Sequence, residues 1–248
     1  MPTGANSKRK YTYVWVSTII LIFGIFAVYE ITKRLKGGAM VENKRMSGVK
    51  TISDMSFIMA NGKKRKVPSF SFLDQDSTIV SNTDYLGKVY VVEFFFTTCP
   101  TICPIMTKNL VALQDTFSEY ENFGIASFTI NPRYDTPSVL TKYVARYGIQ
   151  DKDWHLMTGE QEEIYKLANE GFYIVANEVA DVPGGFEHSG MFALVDKQGY
   201  LRSRNDKFGN PLIYYRGTIT EKQGVNAEGE PQQITLLKED IKKLLLEE

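Results

Sequence analysis

Lys88-Val-Tyr-Val-Val-Glu-Phe-Phe-Phe-Thr-Thr-Cys-Pro-Thr-Ile-Cys-Pro104 is the stretch that decides how this chain is read. After Lys88, Val89–Phe96 is a continuous run of β-branched and aromatic side chains, broken only by Glu93. That pattern suits a central strand covered on both faces. Beyond it, Met106, Leu110, Leu113, Phe117 and Tyr120 recur at helical spacing. A strand, an elbow stiffened by Pro100 and Pro104, and a helix N-terminus therefore converge on Cys99 and Cys103. Helix N-termini present unpaired N–H groups and a positive dipole end, which favour thiolate over thiol. The i,i+4 spacing can bring both sulfurs to one face of a first turn, where they can close a disulfide or clasp one metal ion. A purely structural disulfide is disfavoured, because so short a loop removes little unfolded-state entropy.

The chain has 248 residues and only two cysteines and two histidines. A disulfide scaffold, a four-Cys zinc site and a three-His site are excluded. Structural zinc would need both histidines. Copper needs fewer ligands: thiolates suit Cu(I), and two thiolates with one imidazole suit both oxidation states. His188 lies in Phe186-Glu-His-Ser-Gly-Met191, a loop rising into a strand after Pro183-Gly-Gly185. His155 lies within the short strand Trp154–Met157. Loop residues at strand ends carry function more often, so His188 is the expected third ligand.

Working outward, Pro68–Asp76 alternates apolar and polar and, with Ile79-Val80, reads as a hairpin. Phe123–Ile130 reads as a strand, and Asp135-Thr-Pro137 as the start of a helix to Tyr147, with Asp135 as N-cap. A helix over about 160–170, a strand Met191–Val195, a turn Asp196–Gly199, a returning strand Tyr200–Ser203 and a last helix over about 232–246 follow. This order of elements predicts an α/β, thioredoxin-like domain: a central mixed sheet flanked by helices. Met106, Met191 and Phe94–Phe96 read as core. Glu93 reads as a partly exposed side chain or as a proton acceptor for the thiols. Residues 204–213 read as an insertion without an assignable role, and Tyr214 and Tyr215 as strand residues or exposed partner contacts.

Apolar residues make up 43% and charged residues 23% of the chain, which excludes wholesale disorder. Lys+Arg and Asp+Glu both number 29, so no net field favours nucleic acid. Tyr11–Tyr29 carries no formal charge, follows Lys8-Arg9-Lys10, and at 1.5 Å per residue spans roughly 28 Å, close to a bilayer core. It is longer than a signal-peptide core and has no close A-x-A-like cleavage site. The expected organisation is a basic lead (1–10), a single-pass transmembrane anchor (11–29), a polar linker (30–66) and the α/β domain (67–248). Lys33, Arg34 and Lys36 flank the far end of the anchor too, so charge alone orients it weakly. The basic run Lys63–Lys66 reads as a solvated face.

Phe94-Phe-Phe-Thr-Thr-Cys-Pro-Thr-Ile-Cys-Pro104 resembles the signature of the Sco/SenC family. These are membrane-anchored, thioredoxin-fold copper proteins that assist assembly of the binuclear copper centre of cytochrome c oxidase. Pro68–Asp76 resembles the family's opening hairpin, and Leu86-Gly-Lys-Val89 its lead into the central strand. Pro132-Arg-Tyr-Asp-Thr-Pro137 resembles its D-P-x-x-D-T-P segment, with Asn131 in place of the first Asp. Trp154–Gly159 resembles its W-x-x-L-T-G, and His188-Ser189 with Leu194-Val-Asp196 its histidine loop and following strand. The likeness spans about residues 67–202. It implies Cys99, Cys103 and His188 as copper ligands. It places the domain in the periplasm or outside a bacterial inner membrane, or else in the mitochondrial intermembrane space. It implies as partners the copper-binding subunit of cytochrome c oxidase, with a periplasmic copper carrier or thiol reductant upstream.

Two functions compete for the same residues. One is a metallochaperone holding one copper. The other is a thiol–disulfide oxidoreductase in which Cys99 and Cys103 cycle and reduce the cysteines of the oxidase copper site. The Cys-x3-Cys spacing, rather than Cys-x2-Cys, favours the first. A peroxidase is disfavoured, because related peroxidases carry Thr three residues before the reactive Cys, where this chain has Phe96 and Pro100.

Overall fold

Within the run Lys88–Phe96, Val89–Phe95 forms the central strand. The computed structural model describes residues 7–36, 55–179, 184–206 and 208–247, and the chain divides into two units, Met1–Thr51 and Ile52–Glu248.

In the first unit, α1 (Ser7–Lys36) contains the whole uncharged stretch, with apolar side chains exposed from Val14 to Tyr29. Among the described residues no helix is long and apolar enough to cross a membrane. The expected anchor is thus observed as a helix but not as a span. The lead at 1–6 and the linker at 37–54 lie outside the described residues.

In the second unit, the short strands β1 (Ser56–Phe57), β2 (Met59–Ala60) and β3 (Lys63–Lys64) precede a hairpin of β4 (Ser71–Leu73) and β5 (Ile79–Ser81). Then come β6 (Val89–Phe95), α2 (Cys103–Phe117), β7 (Phe123–Thr129), α3 (Pro137–Tyr147) and β8 (Trp154–Met157). α4 (Gln161–Lys166) runs on into a π-helical turn, Leu167–Phe172. β9 (Ala176–Glu178), β10 (Phe186–His188), β11 (Met191–Val195), β12 (Leu201–Ser203), β13 (Tyr215–Arg216) and α5 (Ile234–Leu246) complete the unit.

The main sheet runs β1-β12-β11-β6-β7-β8, with β13 also paired to β11. β6, β7 and β8 are parallel, joined by α2 and α3, whereas β11 and β12 return antiparallel. Successive strand side chains point to opposite faces. Phe95 accordingly meets Tyr143 of α3, while Phe94 meets Phe128 and Phe172 on the other face. α2 packs on α3 and α5. Every residue of β6 and β7 is buried, as an apolar run covered on both sides requires.

Several expectations are corrected here. The polar linker does not reach residue 66: β1 pairs with β12, Met55 and Ile58 enter the core, and strands of two residues carry no readable period. The basic run is not simply solvated, since Arg65 is buried and bonds the carbonyls of Glu170 and Gly171. Residues 204–213 bring β13 back to β11, and Arg204 Nε donates to Asp240 Oδ2 on α5 at 2.6 Å. Tyr215 is a core strand residue whose hydroxyl donates to the same carboxylate. Tyr214 is half-buried and donates to the Phe172 carbonyl.

Candidate metal centre

The elbow between β6 and α2 is built backwards from the helix. Ile102 is the N-cap, Cys103 opens the helix and Pro104 follows in its first turn, where a missing N–H costs nothing. Only Cys103 is therefore helical, and Cys99 sits in the preceding loop rather than beside it on a first turn. The loop folds so that the Cys103 N–H, at the start of the helix, points at Cys99 Sγ at 3.5 Å. Thr101 Oγ1 lies 3.7 Å from the same sulfur.

The two thiols are not equivalent. Cys103 is 1% exposed and Cys99 7%. Burial, then a hydrogen bond with Cys99, push the Cys103 thiol far above its ordinary range, the reverse of the helix-N-terminus expectation. The helix N–H serves the Cys99 sulfur instead.

Asp135 does not cap its own helix. Thr136 is the N-cap of α3 and makes no side-chain capping bond. The Asp135 carboxylate turns back, accepting the Thr97 N–H at 3.0 Å and the Thr129 hydroxyl at 2.5 Å, and also bonding the Thr97 hydroxyl. It ties the elbow, two residues before Cys99, to the end of β7.

Glu93 is fully buried on the face of β6 shared with Phe95, not partly exposed. Ser127 Oγ donates to its Oε1 at 2.7 Å and Trp154 Nε1 donates to that hydroxyl, while Oε2 has no partner among the described residues. Burial pushes its carboxyl up to about 8.

The histidines separate clearly. His155 Nδ1 bonds Asp74 Oδ2 at 2.9 Å, on a strand in register with Ala126 and through it with Val92, well before the elbow. His188 ends β10, opposite Ala176 of β9. Its side chain lies outside the described residues, but its neighbours are placed. The Phe186 ring lies tilted against that of Phe96, with centroids 5.1 Å apart. Gly184 packs so close that a Cβ there would stand 2.8 Å from Phe96 and 3.2 Å from Pro100, and a Cβ on Gly190 would stand 3.3 Å from Ile102. The hairpin that carries His188 is thus laid on the Cys99–Cys103 loop from both ends. Among the described side chains no group of three or more His, Cys, Asp or Glu forms a metal cluster. The donors near the elbow are two sulfurs, a set suited to copper rather than to closed zinc coordination. Sequence reasoning missed Asp135's contacts with Thr97 and Thr129, because the signal that found it, Asp before Thr-Pro, also describes an ordinary cap.

A parallel β-α-β-α-β core, an antiparallel return and a dithiol elbow at the start of α2 define a thioredoxin-like protein. The SCO1/SenC family model matches residues 59–216, and the chain belongs to that family. The SCO1 protein homolog of Bacillus subtilis is 34% identical over 139 residues, covering 54% of this chain and 70% of that one. The structure of BsSco, described as having a disulfide switch and as a member of the Sco family of cytochrome c oxidase assembly proteins, superposes with a TM-score of 0.59. It is 27% identical and covers 74% of this chain and 95% of its own. Bradyrhizobium japonicum ScoI, solved with copper bound, shares the fold at 18% identity and a TM-score of 0.51, over 72% of this chain and 99% of its own.

Proposed function

We propose that this chain is a membrane-anchored copper metallochaperone. It holds one copper through Cys99, Cys103 and His188 and passes it to the copper-binding subunit of cytochrome c oxidase. The observation that carries the reading is the packing of the His188 hairpin on the dithiol loop through Phe186, Gly184 and Gly190. Family membership supports copper as the cargo. His155, held by Asp74, leaves His188 as the imidazole for the site. The uncharged stretch Tyr11–Tyr29, helical throughout and exposed where described, supports anchorage by α1, with the Ile52–Glu248 unit in the periplasm, outside, or in the intermembrane space.

A second reading has its own observation. Cys103 keeps its proton and bonds to Cys99, the arrangement of a dithiol ready to cycle. In that role Cys99 and Cys103 become a disulfide, and their two electrons and two protons convert a client disulfide of the oxidase copper site to two thiols.

Titration of the reduced full chain with Cu(II), followed by thiolate-to-copper charge-transfer absorption, separates the two. The chaperone predicts one tight copper per chain, lost in Cys99→Ala and Cys103→Ala and weakened in His188→Ala. A Cys103→Ala chain that kept full-affinity binding would sink it. Absence of a stable complex, with a readily cycled disulfide, selects the oxidoreductase. Membrane fractionation of the full chain against one lacking residues 1–36 tests the anchor: only the full chain should sediment with membranes and resist carbonate extraction.

A further inference from the structure

Among the described residues, Asn169 is the side chain that holds β9 on its outer side. Ala176 is fully buried, and both of its backbone groups are taken by Asn169. Its N–H donates to Asn169 Oδ1 at 3.2 Å, and Asn169 Nδ2 donates to its carbonyl at 3.0 Å. The N–H and C=O of one strand residue point to the same side, so these groups face away from β10. His188, directly across, is therefore the partner of Ala176 in a pair without mutual backbone bonds, the class with the closer Cα spacing. The Asn169 carboxamide stands where a third strand would stand, offering one acceptor and one donor in one plane.

Asn169 is itself fixed by the π-helical turn that continues α4. The last carbonyls of that turn are occupied: Arg65 donates to Glu170 and Gly171, and Tyr214 to Phe172. The Ile174 N–H closes back on the Ala168 carbonyl at 2.9 Å. The turn is thus a rigid mount, Asn169 is its pointer, and Ala176 is where it touches the hairpin.

We propose that Asn169 is a positioning residue that sets the placement of His188 over the Cys99–Cys103 loop through Ala176, and so sets how long copper is held. The proposal rests on the reading of His188 as a copper ligand. No other residue type replaces this amide. Ala leaves two buried backbone groups unpaired, Asp sets a carboxylate against the Ala176 carbonyl and loses the donor, and Gln carries the same groups one methylene too far.

The test uses the reduced full chain in detergent, loaded with one equivalent of Cu(II), in wild-type, Asn169→Ala, Asn169→Asp and His188→Ala forms. Copper release to a chelator and the thiolate-to-copper absorption band are recorded. In the metal-free proteins, thermal unfolding and the Cys99–Cys103 reduction potential are measured. Both Asn169 variants should release copper about 10–100-fold faster, with a shifted band, the range for loss of a residue that orients a metal ligand. Their dithiol potential should stay at the wild-type value, because the pair lies outside the hairpin; a general loosening of the fold would move both. A folded Asn169→Asp chain with wild-type release and band overturns the proposal while leaving His188 as ligand. A His188→Ala chain with wild-type release overturns the ligand reading and the proposal with it. If neither Asn169 variant folds, amide exchange in the wild type decides: slow exchange at Ala176 supports the mount, and exchange at the open-chain rate overturns it.

Discussion

Asp135 accepts the backbone N–H of Thr97 at 3.0 Å, although the two residues lie on different connections of the sheet. The bond holds the chain just before Cys99 from below, and Thr129 completes the carboxylate's coordination. Asp135→Ala should cost about 1–3 kcal/mol, the penalty of a buried donor left unsatisfied. It should also shift the thiolate-to-copper band, because the elbow loses its fixed floor. Asp135→Asn, which keeps one acceptor, should fall between the two. Chemical denaturation and absorption spectra of the three proteins check this; an Ala variant with wild-type stability and spectrum contradicts it.

Glu93 gives the fold a pH dependence of predictable sign. Its folded-state value, about 8, lies above the ordinary 4.5, so the folded chain keeps a proton that the unfolded chain releases. Its contribution is complete below pH ~4.5 and falls by about 1.4 kcal/mol per pH unit until the folded group also ionises. Glu93→Gln removes the titration. Wild type should therefore lose stability relative to the Gln variant as pH rises from 5 to 8, with the difference levelling off above 8. Parallel denaturation curves across that range are the measurement, and a constant difference would refute the assignment.

The two thiols should differ in reactivity. Cys99 accepts the Cys103 N–H and is the more exposed, whereas Cys103 is buried and holds its proton. Alkylation of the reduced, metal-free chain should label Cys99 first and Cys103 only at the rate of local opening. Mass mapping at short times decides it; equal labelling would contradict the asymmetry.

Gly190 is required by both conformation and space. Its φ is +66°, and a Cβ would stand 2.5 Å from Thr218 Cγ2 and 3.3 Å from Ile102 Cδ1. Gly190→Ala should destabilise the chain by about 1–2 kcal/mol from the left-handed backbone alone. It should also speed copper release, because Ile102 is the N-cap beside Cys103. Gly229→Ala, with φ +81° and open space around its Cβ, is the control: it carries the same backbone cost without the effect on copper.

Much of the molecule was legible from local pattern. The apolar run of β6, the helical spacing of α2, the Asp-Thr-Pro start of α3 and the order of strands and helices each follow from side-chain periodicity and turn chemistry within a dozen residues. The elbow with its two cysteines was equally plain, since a strand end, two prolines and a helix start are all local signals. What failed were readings that depended on distant neighbours. Arg65 looked like one more surface cation until the carbonyls of Glu170 and Gly171 met it. Glu93 read as partly exposed or as a proton acceptor for the thiols, because a charge in a strand usually reaches solvent, but the layer packed on its face of the sheet buries it.

The chain's own residue order determined the α/β domain, the dithiol at a helix start and the helical apolar segment before the domain, because each is written in contacts between near neighbours. Tertiary structure alone decided which thiol keeps its proton, where Asp135 directs its carboxylate, and that the His188 hairpin lies on the cysteine loop. Those outcomes come from burial and from hydrogen bonds between residues far apart in the chain, and their energies exist only once the sheet has brought the partners together.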